Sequence, residues 1–297
     1  MPATPTKVPL NKLFLSVDNR KEHIQNLFTS ALYFAVTFIA LHYLGHAWST
    51  HNAHHYGYTP LFSYNGMDTL LGTSGWTARK IGIIHLMPPF IGVVSLFLGL
   101  LLLQLIRTKR IHLRTFLFWL SVNGLLIYAS YISTGFLSGL NYSSKFFTGF
   151  VGYYAWLYWK PINIYGMLFM QALLCLPVLF YLSRFALGLN YSSSLLKQDK
   201  GRVIIWANVV LIPFVLGSMI VVLATFPMDF GYQLVRFATF IPMALAMLAS
   251  MHFFSTRNIG IIKGGLKGFP IILFVAALVM IVVISRTVLS VSSGPLW

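Results

Sequence analysis

The chain has 297 residues, of which 57% are hydrophobic and only 9% charged, which excludes the roughly one-quarter charged make-up with which a soluble domain faces water. The apolar residues fall in blocks close to the about 20 residues that a helix needs to cross a hydrocarbon core about 30 Å thick, and they lack the alternation of barrel strands. The net charge of +16 is spread over short connections and not gathered on one face, so it speaks against nucleic acid as a partner and for a lipid bilayer with Lys and Arg held at its surface.

These properties predict an all-α, polytopic transmembrane helix bundle of about seven spans. Residues 1–26 form a basic N-terminal segment, with Lys7, Lys12, Arg20 and Lys21, and no small-residue cleavage site follows the first apolar run. The spans are expected at 27–48, 81–106, 115–138, 162–182, 203–224, 231–253 and 270–290, within a membrane domain covering 27–290 and followed by a tail at 291–297. Counting basic residues on alternate sides gives orientation. Arg79, Lys80, Lys145, Lys160, Arg236 and Arg286 fall on one side, and the other fifteen of the 21 Lys and Arg fall on the opposite side. That bias predicts a cytoplasmic N-terminus and an outer C-terminus for this multi-pass protein.

Between the first two spans, residues 49–80 make an outer segment rich in His, Asn, Gly, Thr and Tyr, longer than a simple connection requires. Further on, 152–159 (GYYAWLYW) reads as an interfacial aromatic belt. The run Phe136 to Ser144 is echoed at Phe185 to Ser193, which reads as two similar helix exits. Asn123, Gln171 and Asn208 are polar positions within spans, expected as interhelical hydrogen-bond partners or, in a transporter, as substrate contacts. The single Cys175 lies in an apolar run and is expected to pack there.

The strongest chemical signal is the crowding of five of the nine histidines between residues 42 and 55. His42 and His46 are four apart, so on a helix both imidazoles lie on one side and are candidate ligands of one metal ion. The stretch His42-Tyr43-Leu44-Gly45-His46-Ala47 resembles the metal helix of the site-2-protease type of intramembrane zinc metallopeptidases, His-Glu-x-Gly-His-Ala. Met87-Pro88-Pro89-Phe90 resembles the opening of the next helix in that family, and Pro227-Met228-Asp229-Phe230-Gly231 its third-ligand motif. The resemblance implies zinc held by His42, His46 and, as candidate third ligand, Asp229.

It departs from the family in two places. Tyr43 stands where the family has its general-base Glu, and the only Glu in the chain is Glu22. A tyrosine, with a pKa of about 10, stays protonated at neutral pH and does not take a proton from metal-bound water. The family's active site also lies nearer the cytoplasmic face than this topology places the cluster. The expected protein is therefore metal-binding and proteolytically inactive, with a regulatory or partner-binding role toward other membrane subunits or a transmembrane peptide.

Two other readings stay open. His42-x-x-x-His46 and His51-x-x-His54-His55 are similar to the first two histidine boxes of membrane di-iron desaturases and hydroxylases, which would make His51, His54 and His55 iron ligands. The third box is missing, since His85, His112 and His252 stand apart. The remaining reading is a non-enzymatic subunit, transporter or scaffold whose cluster binds haem, another pigment or a structural metal. No Gly-rich phosphate loop and no serine-nucleophile motif is present.

Overall fold

The computed structural model describes residues 20–58, 61–63, 66–68, 77–106, 110–141, 161–189, 199–225 and 237–255, with single positions between and beyond them. The first element, α1, is one continuous helix over Arg20–His55. It contains no proline, and its 36 residues span about 54 Å at 1.5 Å each, well beyond the about 30 Å of hydrocarbon that one crossing needs. The first span therefore does not end at residue 48, because the first seven residues of the expected outer segment continue the helix. Gly57, with φ of 78°, terminates it. The Gly57 N–H donates to His54 O at 2.9 Å and the Tyr58 N–H to Ala53 O at 3.1 Å, which satisfies the last carbonyls through a left-handed residue that only glycine adopts cheaply.

A two-stranded antiparallel hairpin follows, β1 (Leu61–Ser63) and β2 (Gly66–Asp68), lying against α1. This ribbon is the one departure from the expected all-helical architecture among the described residues. The expected second span is broken in two: α2 (Ala78–His85) and α3 (Met87–Leu105) meet at Leu86, just before Pro88 and Pro89. Proline has no N–H to give and is tolerated where a helix begins, so the pair sets the junction. Thr77 caps α2 by accepting the Lys80 N–H at 3.3 Å.

The helix α4 (Ile111–Asn141) is the most enclosed of the bundle and packs most extensively on α3. Gly92 and Gly124 make that approach possible: a Cβ on Gly92 would stand 2.6 Å from Gly124 O, and one on Gly124 would stand 2.5 Å from Gly92 O. Lipid tails are as apolar as leucine, so helices in a bilayer associate through such close contacts and through interhelical hydrogen bonds. Next come α5 (Pro161–Gly188) and then α6 (Asp199–Trp206), a π-helical turn (Ala207–Leu211) and α7 (Ile212–Thr225) in one unbroken run. The wide turn has a local cause. Pro213 would clash with the carbonyl four residues earlier in a regular helix, and the extra residue relieves it. The last described helix is α8 (Phe240–Met251), pinned to α6 by Trp206 Nε1 donating to Ala244 O at 2.8 Å and by the Arg202 guanidinium donating to the carbonyls of Met251, His252 and Phe254 at 2.8–3.0 Å.

An aromatic core ties these elements together. Phe34 of α1 meets Trp119 of α4 edge-on at 5.2 Å and Phe214 of α7 at 5.4 Å, and Phe214 stacks on Phe240 of α8 at 3.6 Å. Among the described residues, five helices are long and apolar enough to cross a membrane: the α1 stretch Ile24–His55, Met87–Leu105, Ile111–Ser133, Tyr165–Gly188 and Gly201–Thr225. The chain is thus a helical bundle with the make-up of an integral membrane protein. The sixth expected span is represented by α8, which has 12 residues, too few for that criterion. The seventh, 270–290, is described only at four helical positions, Ala276, Val279, Met280 and Val283. The tail at 291–297, most of the N-terminal segment, the aromatic stretch at 152–159, Asp229 and the second half of each echoed run lie outside the described residues.

Candidate functional site

His42 and His46 lie on the face of α1 that turns into the bundle, together with Gly45, Ser49 and Ala53. His42 is 3% exposed and His46 is half-buried. The two rings meet edge to face with centroids 4.5 Å apart, as the four-residue spacing predicts. Phe38, one turn earlier, stacks on His42 at 6.3 Å, so the pair rests on an aromatic floor continuous with the core. Across the bundle, the Tyr131 hydroxyl of α4 forms a hydrogen bond of 2.9 Å with His46 Nε2. Gly45 lets α1 come against the kink before α3: a Cβ there would stand 2.9 Å from the Pro88 Cα. The Gly and Pro that carry the family resemblance therefore touch, at a helix crossing beside the histidine pair.

Tyr43 is half-buried against the hydrophobic core with its ring 5.4 Å from that of His42. Its phenol can orient or donate but does not supply the general base of hydrolysis. A catalytic zinc takes three protein ligands and keeps one position open. Among the described residues, no group of three His, Cys, Asp or Glu side chains comes together to hold a metal. The histidine pair offers two nitrogen donors, and a metal using Nε2 of His46 would displace Tyr131 from it.

His51, His54 and His55 do not join the pair. They are exposed at the C-terminal end of α1. His51 follows His42 by nine residues and His55 follows His46 by nine, a rotation of about 900°, or half a turn beyond whole turns, with a rise of about 13 Å. His51 and His55 thus face away from the pair, and His54, about 80° round the helix from His46, lies on its flank. His112 lies at the other end of the bundle, where its Nδ1 is 3.1 Å from the Tyr33 hydroxyl, and His252 Nδ1 is 3.0 Å from Leu248 O.

Of the three amides expected as interhelical partners, two serve as interhelical ties. Asn123 Nδ2 donates to Phe34 O at 2.8 Å and to Thr37 Oγ1 at 2.7 Å, and Gln171 Nε2 donates to Ala129 O at 2.9 Å. Asn208 sits in the π turn, with its Oδ1 buried and without a hydrogen bond. Cys175 is buried in the core, as expected of a packing residue.

Beyond the pair, the C-terminal end of α1 is braced by α2. Asn52 Nδ2 donates to Ile83 O at 3.0 Å, and Lys80 Nζ lies 5.1 Å from the Tyr58 ring centroid. Ile81, Ile84 and Ala53 are fully enclosed in this contact. His85 ends α2 inside it, and burial lowers its pKa from 6.5 to about 4 because the charged imidazolium loses its water. Neither Tyr131 nor His85 was assigned to the site from the sequence. Tyr131 is one tyrosine among fifteen, and only the helix crossing selects it.

No family model, no curated protein and no solved structure matches the chain.

Proposed function

We propose that the chain is a multi-pass membrane protein of about seven spans, N-terminus cytoplasmic and C-terminus outside, whose His42–His46 pair binds a metal ion in a binding or regulatory role without hydrolysis. The observation that carries this reading is a pair of imidazoles with centroids 4.5 Å apart, turned into the bundle. Ionisable groups at such depth are costly unless they serve a purpose. Zinc suits two imidazoles with a carboxylate, for which Asp229 is the candidate, and Tyr43 in place of a base argues for holding a transmembrane peptide or another subunit without cutting it. The resemblance to site-2-protease-type metallopeptidases contributes the choice of zinc and of Asp229.

Metal content of the purified protein beside a His42→Ala/His46→Ala variant tests the reading. One zinc per chain in the parent and none in the variant is the expected result. Equal content in both would remove the site, and the pair would then be an interhelical clamp in a scaffold or complex subunit. Two irons, or a haem Soret band, would transfer the reading to the desaturase-like or pigment-binding alternatives. Turnover of membrane peptides that vanishes in the variant would refute the inactive assignment.

A further inference from the structure

Where α3 ends and α4 begins, a guanidinium is enclosed with no carboxylate in contact among the described residues. Arg114 is 8% exposed. Its Nη1 donates to Ile106 O at 2.9 Å, just past the C-terminus of α3, and its Nε is buried without a hydrogen bond. The guanidinium carbon lies 5.8 Å from the Phe185 ring centroid on α5. Arg110, one turn earlier and joined through the Arg114 N–H to Arg110 O bond of 3.0 Å, is exposed, as is Arg184 beside Phe185. Gln104 Nε2 donates to the Tyr181 hydroxyl at 2.6 Å and closes α3 onto α5 at the same junction.

The whole chain holds 21 Lys and Arg but only five Asp and Glu, an excess of sixteen cations over acidic side chains. A carbonyl at a helix C-terminus eases a buried cation by only part of what desolvation costs it. The flat, five-donor fork of arginine matches a phosphate. Arg114 is the fourth residue of α4, which puts it about 5 Å along the helix from its end.

We infer that Arg114, with Arg110 and Arg184 around it, forms a binding site for a phosphate group at the α3–α4–α5 junction. The group belongs either to an acidic phospholipid or to free phosphate. The inference is independent of the histidine pair and of which side of the membrane the junction faces.

The test uses the full chain in nanodiscs of phosphatidylcholine, alone or with about 20% phosphatidylglycerol, and in detergent with inorganic phosphate added. Retained lipid is read by native mass spectrometry and stability by thermal unfolding. The expected result is retention of phosphatidylglycerol with a raised melting temperature, and about tenfold weaker retention in Arg114→Gln. Arg110→Gln/Arg184→Gln, which alters only exposed side chains, should weaken retention severalfold and decides the matter if Arg114→Gln does not fold. Stabilisation by inorganic phosphate that both variants lose would confirm the site and make free phosphate the ligand. Equal lipid retention by the parent and the double variant, with no response to phosphate, would overturn it.

Discussion

The hydroxyl of Tyr131 lies 2.9 Å from Nε2 of His46, joining two helices across 85 positions of sequence. Interhelical hydrogen bonds in bilayers contribute about 0.6 kcal/mol on average and about 1.7 at most. Tyr131→Phe should therefore lower stability by an amount in that range, read by thermal denaturation in detergent. Because the change frees Nε2 without removing an imidazole, metal content should persist. Its loss would make Tyr131 part of the metal site itself.

The α3–α4 crossing makes a sharper prediction. A methyl group on Gly92 or Gly124 meets a backbone carbonyl that has no rotamer by which to move aside. Gly92→Ala and Gly124→Ala should each cost about 1–3 kcal/mol, the usual penalty of overpacking. Gly166 of α5 is exposed, and a Cβ there meets nothing within 4 Å. Gly166→Ala should be neutral or stabilising by up to about 1 kcal/mol, since alanine loses less backbone freedom on entering a helix. Equal destabilisation by all three would contradict the packing described above.

His85 predicts a pH dependence of the contact between α2 and the C-terminal end of α1. Its pKa is lowered to about 4 in the closed state and returns to 6.5 when α2 lifts away. The open state thus binds the proton more readily, so closure is unaffected above about pH 6.5 and weakens as pH falls from there toward 4, by about 3 kcal/mol at the acid limit. Hydrogen exchange of the α2 amides at pH 7 and pH 5 should show the loss, after correction for intrinsic rates. His85→Leu should abolish the pH effect. An unchanged acid response in that variant would assign it elsewhere.

The helical membrane character was legible because a bilayer demands long apolar runs, and the five long helices follow the first five predicted runs. Their ends were not. Residues 49–55 read as loop for their polarity, yet the helix continues because Ala53, Asn52 and Ser49 pack or bond on its inner face while the histidines stay outside. The break at Leu86 falls just before Pro88 and Pro89: their place at the opening of a helix was legible, whereas a span drawn from residue 81 hid the separate short helix ahead of them. The π turn carries no pattern of its own apart from the proline that provokes it. In the site, four-residue spacing was enough to pair His42 with His46, and the same periodicity sends His51 and His55 to the opposite side and His54 to the flank. Tyr131 was hidden because contacts between distant helices leave no local trace.

The unbroken course of α1 has a mechanical consequence. No proline or wide turn interrupts it between the Tyr33–His112 contact at one end of the bundle and Gly57 at the other, so it bends little along its length. The rise of about 13 Å from the enclosed pair to His51 and His55 is thus set by one unbroken helix, so the exposed and the enclosed imidazoles keep a fixed separation along it.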